Sequence, residues 1–103
     1  MTILSKIENK PIQEPLSNFT KQEIAQANQR PLEFYYTGAL KTKNRKYSIG
    51  LCPFHAEKTP SFVIYNETNT AHCFGACAKS WDTIGFVMQK DNLSFLEVVR
   101  KLL

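Results

Sequence analysis

Two short pairs of metal-binding residues constrain this chain more than any other feature of its sequence. Cys52 and His55 have C-x2-H spacing, and seventeen residues separate this pair from the next. Cys73 and Cys77 follow with C-x3-C spacing. Zinc prefers four soft or borderline ligands in a tetrahedron, and two short turns that face each other can supply one pair each. The spacing therefore predicts one structural zinc ion, held by these four side chains.

The alternative is that the three cysteines are free thiols in a reduced core, beside an unrelated histidine. A chain of 103 residues buries a limited core, whereas a structural zinc can contribute on the order of 10 kcal/mol of folding free energy. Three cysteines cannot all pair within one chain, and we find no secretory signal, so we expect a reducing, cytoplasmic location without a disulfide framework. The metal site is the favoured use of the thiols.

Other ionisable residues near the two pairs have simpler expected roles. His72 adjoins Cys73, and adjacent side chains on a strand point to opposite faces, so we leave His72 out of the ligand set. We expect it to pack or hydrogen-bond, with nucleic-acid contact as the alternative. Glu57 is expected to pair with Lys58 at the surface, and Asp82 to cap a helix. Because four protein ligands close a zinc ion to substrate, the sequence indicates no catalytic residue.

Capping signals predict three helices. Thr20 and Glu23 form a capping box for a short helix that ends near residue 28. Ser94 and Glu97 form a second box, for the last helix of the chain. Asp82 can cap a helix between them, through about residue 90.

Runs of aromatic and β-branched residues between polar clusters predict an antiparallel sheet. Residues 42–44 are expected at the tip of a hairpin and residues 66–69 at a second turn. Residues 1–18 contain two prolines and no regular apolar period, which predicts a loose N-terminal arm before a domain over residues 19–103. The predicted strands are residues 33–41, 45–51, 61–66 and 70–74.

The segment CPFHAEKTPSF at residues 52–62, followed by HCFG at residues 72–75, closely resembles the CHC2-type zinc-binding domain of bacterial, phage and plasmid DNA primases. A weaker resemblance extends from about residue 32 to residue 103. It implies an α+β fold of the zinc-ribbon type, with a small antiparallel β-sheet, a zinc site at one end and flanking helices. It also implies a function, because family members engage single-stranded template DNA and help a separate catalytic core to start an RNA primer.

Two departures from the family pattern bear on function. The family usually has C-x2-C in its second ligand pair, but spacings from C-x2 to C-x4 occur in zinc sites, so the ligand assignment stands. Lys79, Ser80 and Trp81 replace the small residues that the family tends to have after this pair; Trp81 is either a lid over the zinc end or a stacking platform. The chain has no acidic cluster for the two magnesium ions of nucleotidyl transfer, so we expect it to synthesise no primer alone.

The excess positive charge is local. The whole chain carries a net charge of +4, and within residues 38–60 five cations minus Glu57 also give +4. Tyr35, Tyr36, Phe62 and Tyr65 alternate with these cations on the predicted strands, an arrangement that suits stacked bases and phosphates. The alternative is a solvated hairpin tip with its aromatic residues in the core. The candidate nucleic-acid-binding residues are Lys41, Lys43, Arg45, Lys46, Tyr47 and Lys58.

Two functions of different classes are consistent with these features. The first is a zinc-dependent module that binds single-stranded DNA in replication priming, together with a primase catalytic subunit. The second is an accessory protein-interaction module of a mobile element, which docks on a replication protein. No apolar run approaches the roughly 18 residues of a membrane span, so we expect no membrane partner.

Overall fold

A five-stranded antiparallel sheet forms the centre of the computed structural model, which describes residues 19–103. Each strand pairs with the next one along the chain, so the sheet is a simple meander with β1 and β5 at its edges. The strands are β1 (Leu40–Lys43), β2 (Tyr47–Gly50), β3 (Phe62–Tyr65), β4 (Thr70–Cys73) and β5 (Ser80–Asp82).

Helices precede and follow the sheet: α1 (Lys21–Ala27), α2 (Leu32–Tyr35), α3 (Thr83–Asp91) and α4 (Phe95–Leu102). The three predicted caps are confirmed. The hydroxyls of Thr20 and Ser94 each accept the backbone N–H of the glutamate three residues later, and both capping boxes are complete. The Asp82 carboxylate accepts the N–H of Gly85 at 2.7 Å, which begins α3.

The helices cover one face of the sheet, because alternate strand residues on that face are apolar. The Phe62 ring is fully buried and packs 5.6 Å from the Tyr36 ring and 5.7 Å from the Phe86 ring of α3. Ile64 and Cys73 lie on the same face and are also fully buried. We call this side the covered face. The opposite side, the open face, carries no helix among the described residues.

The first predicted strand, residues 33–41, is wrong over most of its length, because residues 32–35 form α2. The helical turn closes through the N–H of Phe34 donating to the Pro31 carbonyl at 3.1 Å. The N–H of Leu32 donates to the side-chain oxygen of Asn69 at 2.8 Å, which fixes the start of the helix. A long-range contact thus overrides the local aromatic composition, and only residues 40 and 41 of the prediction lie in a strand.

Two further details differ from expectation. The hairpin tip lies at residues 44–46 rather than 42–44, since the side-chain oxygen of Asn44 accepts the N–H groups of both Lys46 and Tyr47 at 2.9 Å. The strand β5 was not predicted. Its Trp81 is 5% exposed, and its ring packs 5.0 Å from that of Phe54, so Trp81 is a core residue and not a stacking platform.

The remaining strand predictions, residues 45–51, 61–66 and 70–74, are confirmed with slightly shorter bounds, as is the turn at residues 66–69. The antiparallel α+β architecture with flanking helices is confirmed as well. The predicted arm, residues 1–18, lies outside the described residues, and the domain bounds 19–103 stay a prediction. No helix within residues 19–103 has the length and apolarity needed to cross a membrane.

Candidate metal centre and nucleic-acid surface

The four predicted ligands meet at one end of the sheet. Strand β2 leads into Cys52 and His55, while β4 ends at Cys73 and is followed by Cys77. Because the two strands flank β3 and are both antiparallel to it, they end at the same end of the sheet. The three sulfur atoms and a ring nitrogen of His55 all lie within 4.8 Å of one another.

The spacing of these atoms fits a tetrahedral zinc ion. With Zn–S bonds of about 2.3 Å, two thiolates on one zinc are about 3.8 Å apart. The Sγ atoms of Cys52 and Cys77 are separated by 3.8 Å, and the Nδ1 atom of His55 lies 3.2 Å from the Cys77 sulfur. The four side chains are positioned to bind one zinc ion, as predicted, and they would supply all four ligands of a tetrahedral site.

Burial and backbone contacts act differently on two of the thiols. Burial raises the pKa of the Cys52 thiol to about 12. Burial also acts to raise the pKa of Cys73, but hydrogen bonds with the backbone N–H groups of Gly75 and Cys77 and with the Ser61 and Cys52 side chains together outweigh it and bring the pKa to about 7. A coordinating thiol is deprotonated, so zinc binding at this site releases protons.

Glu57 forms hydrogen bonds with both residues of the first ligand pair. The predicted surface pair with Lys58 is therefore wrong. The Glu57 carboxylate accepts the N–H of Cys52 at 2.7 Å and the hydroxyl of Ser61 at 2.5 Å. It also lies 3.0 Å from the Nε2 atom of His55. The Ser61 hydroxyl, followed by the Cys52 N–H, lowers the pKa of Glu57. Sequence reasoning missed this role, although a zinc-bound histidine commonly needs a carboxylate or carbonyl acceptor for its other nitrogen.

Four protein ligands leave no coordination position open for substrate, and their location at one end of an antiparallel sheet defines a structural zinc site of the zinc-ribbon type. The chain belongs to the CHC2 zinc finger family, whose sequence profile matches residues 34–103.

Similar curated proteins are DNA primases. The DNA primase of Listeria monocytogenes is 51% identical over 63 residues, which are 61% of this chain and 10% of that protein. The DNA primase of Deinococcus radiodurans is 57% identical over 53 residues, 52% of this chain and 9% of the relative. The chain thus aligns with about a tenth of the length of these relatives.

A solved structure is similar as well. The crystal structure of the Aquifex aeolicus primase, with its zinc-binding and RNA polymerase domains, superimposes with a TM-score of 0.64 at 27% sequence identity. The match covers 78% of this chain and 20% of that chain. The sequence resemblance and the predicted fold class are therefore both confirmed.

His72 lies outside the ligand cluster, as expected from the alternation of β4. Its Nδ1 atom is 2.6 Å from the Ser80 hydroxyl, and its ring packs edge-on 4.4 Å from that of Phe74. The predicted hydrogen-bonding role is confirmed. Phe74 is 64% exposed beside it, which no sequence pattern indicated.

The candidate nucleic-acid residues fall into separate groups along the β1 edge. Arg45 and Lys46 are exposed at the hairpin tip. Lys41 and Lys58 line one groove at the zinc end. Lys43 forms an ion pair with Glu33 of α2 at 3.2 Å, on the helix side of the sheet.

Among the aromatic residues predicted to stack on bases, only two are exposed on the open face. Tyr47 and Tyr65 are directly opposite each other on β2 and β3, and they are 39% and 38% exposed. Tyr36 and Phe62 belong to the core, and Tyr35 is half-buried. The aromatic surface is therefore smaller than the sequence suggested, and it lies on one face.

Proposed function

We propose that this chain is the zinc-dependent template-binding module of a DNA primase. It engages single-stranded DNA during replication priming, together with a catalytic core outside residues 19–103, and it carries out no catalysis itself. The family membership and the primase relatives support this assignment. The proposed setting is the reducing cytoplasm, in which the three cysteines stay available for zinc.

The observation that carries the proposal is the pair of tyrosines on the open face. Residues directly opposite on antiparallel strands have Cβ atoms about 5 Å apart, so the Tyr47 and Tyr65 rings can form one continuous surface. Unpaired bases stack on such rings, and this stacking contributes about 1–3 kcal/mol per base. Bases of a duplex are already stacked and paired, so the surface favours single strands.

The phosphates would follow the β1 edge beside this surface. Arg45 and Lys46 supply two cations at the tip, and Lys41 and Lys58 supply two at the zinc end. Lys43 contributes less because Glu33 offsets its charge. We therefore propose four principal phosphate contacts, with Lys43 as a secondary one.

Salt-dependent binding tests the count of contacts. The zinc-loaded chain is titrated into a fluorescein-labelled oligothymidylate, and fluorescence anisotropy is read at several salt concentrations. Four contacts at about 0.7 each predict a log-log slope of about −3. Arg45→Ala with Lys46→Ala should make the slope shallower by about 1.4.

Two single variants serve as matched controls for that double variant. Lys43→Ala should change the slope by less than either tip residue alone, because its charge is already paired. Lys21→Ala, on the exposed surface of α1, should leave it unchanged. Absence of binding at low salt, or an unchanged slope without Arg45 and Lys46, would favour the protein-interaction function instead.

Stacking is tested at high salt, where the phosphate contribution is small. Tyr47→Ala with Tyr65→Ala should lower the remaining affinity by about tenfold or more, which corresponds to about 1–3 kcal/mol per base. The control is Phe34→Ala, which removes an aromatic ring that is 78% exposed on α2. Equal losses in the two experiments would exclude a specific role for the open face.

A further inference from the structure

Glu57 has an unusual number of partners for a single carboxylate beside the metal ligands. Its Oε2 atom accepts the backbone N–H groups of Cys52 at 2.7 Å and Ser61 at 3.3 Å. Its Oε1 atom lies 2.5 Å from the Ser61 hydroxyl and 3.0 Å from the Nε2 atom of His55. The Glu57 side chain is only 12% exposed, so these partners hold it in place of water.

The backbone N–H groups determine whether Glu57 accepts or donates in its hydrogen bond with His55. A backbone N–H can only donate, so the Oε2 side of Glu57 must stay an acceptor. The Oε1 atom already accepts the Ser61 hydroxyl, so it serves as an acceptor too, and the Nε2 atom of His55 beside it is the donor that carries the ring hydrogen. The Nδ1 atom then keeps its lone pair, and it is the atom that faces the sulfur cluster.

The surrounding packing leaves little space for a different arrangement. A Cβ atom added to Gly75 would lie 2.8 Å from the Ser61 hydroxyl and 3.2 Å from the Oε1 atom of Glu57. It would also lie 3.3 Å from the Nε2 atom of His55. The backbone of the second ligand turn therefore closes over the hydrogen bonds made by the first.

We propose that Glu57 is the positioning residue of the zinc site: it selects the His55 tautomer whose Nδ1 atom is free to bind the metal. This inference concerns the metal site and is independent of the proposed DNA binding. The same carboxylate ties the Cys52 backbone to the start of β3, so it also orients the first ligand pair relative to the sheet.

Glu57→Gln tests the proposal with the smallest change in shape. The two backbone N–H groups require the glutamine oxygen at the Oε2 position, which places the NH2 group against the Nε2 atom of His55. The NH2 group donates to Nε2 and so favours the tautomer whose ring hydrogen is on Nδ1. In that tautomer Nδ1 has no free lone pair and cannot bind zinc. We expect zinc affinity, measured by competition with a chromophoric chelator, to fall about 10–100-fold. The matched control, Glu67→Gln in the exposed β3–β4 turn, should bind zinc like the unmodified chain.

The same substitution in a chain that also carries His55→Cys distinguishes selection of the His55 tautomer from a general contribution of Glu57 to the fold. In His55→Cys the fourth ligand is a thiolate, which has no tautomer, so adding Glu57→Gln there should cost less than about threefold in zinc affinity. Equal losses in the two backgrounds would overturn the proposal. Failure to fold with excess zinc in both backgrounds would overturn it too, whereas failure only with His55 present would support it.

Nitrogen NMR of the histidine ring gives a readout that a structural role alone would not change. In the zinc-loaded chain we expect a protonated Nε2 and a metal-bound Nδ1 at His55. Ser61→Ala removes only the hydroxyl and should retain this pattern, while Glu57→Gln should lose it. The opposite tautomer in the unmodified chain would contradict the proposal.

Discussion

The two faces of the sheet are formed by the same strands but differ in burial. On the covered face, Phe62 and Cys73 are neighbours on β3 and β4, are fully buried and join the core to the metal site. On the open face, Tyr47 and Tyr65 are neighbours on β2 and β3 and stay more than a third exposed. Because successive strand residues alternate between faces, core residues and residues of the proposed DNA-binding surface are adjacent along each strand.

This comparison predicts that changes on the covered face cost stability and that changes on the open face cost binding. The zinc end belongs to the covered face, since the ligand Cys73 is in register with Phe62. The proposed DNA surface needs that end intact to keep its strands aligned.

Loss of the metal should have the largest effect on stability. Cys73→Ser removes a fully buried ligand, and a structural zinc contributes on the order of 10 kcal/mol to folding. We expect the variant to bind less than one equivalent of zinc and to melt at a much lower temperature by circular dichroism. A chelator should have the same effect on the unmodified chain. If the chelated chain kept its full thermal stability, its core would be sufficient without metal.

A pair of ring deletions on β3 compares the faces directly. Phe62→Ala empties a fully buried site beside three other rings and should cost about 3–5 kcal/mol in urea unfolding of the zinc-loaded chain. Tyr65→Ala, three residues away on the open face, should cost less than about 1 kcal/mol. Similar costs for the two variants would disprove the separation of the faces.

Asn69 should be the most important polar side chain for α2. It has a left-handed backbone with φ of 58°, and its amide group donates to the carbonyl of Arg30 at 2.8 Å while accepting the N–H of Leu32. Asn69→Gly keeps the backbone conformation and removes these bonds, so we expect a loss of about 2 kcal/mol. Asn66→Gly, in the same turn, is the comparison variant and should cost less. An unchanged urea midpoint in Asn69→Gly would show that α2 forms without this contact.

The ion pairs of Asp91 should have the smallest effect. Its hydrogen bonds with Lys90 and then Lys101 lower the pKa of Asp91 below its ordinary value of 3.8. A lowered folded-state pKa stabilises the fold above the unfolded pKa, and this contribution disappears as pH falls through the folded value. The stability difference between the unmodified chain and Asp91→Asn should therefore be less than about 1 kcal/mol at pH 7 and shrink below about pH 4. A difference that grew on acidification would contradict the assignment.

The parts of the fold that were predicted from sequence depend on local signals. The capping residues Thr20, Asp82 and Ser94 act within one turn of the chain, and the ligand pairs are recognised by their spacing. Strands β2, β3 and β4 follow from apolar and aromatic runs.

The parts that were not predicted depend on distant partners. Helix α2 replaces a predicted strand because Asn69, 37 residues away from Leu32, satisfies its first N–H group. Glu57 was assigned to the surface because only the folded turn brings it to the Cys52 N–H and to Ser61. Trp81 could not be assigned from sequence, because its burial depends on Phe54 in the first ligand turn.

Binding of the template to the open face is tested most directly by a chemical-shift map of the zinc-loaded, nitrogen-15-labelled chain during titration with a short single-stranded oligothymidylate. We expect the largest amide shifts at Tyr47, Tyr65 and the hairpin tip 44–46, with small shifts in α1 and α4. The signals of the four ligands, Cys52, His55, Cys73 and Cys77, should stay close to their unbound positions, because the metal site does not contact bases. Lys41 and Lys58 at the zinc end should shift through their proposed phosphate contacts. Shifts concentrated in the helices, or none at saturating DNA, would show that the open face does not bind the template.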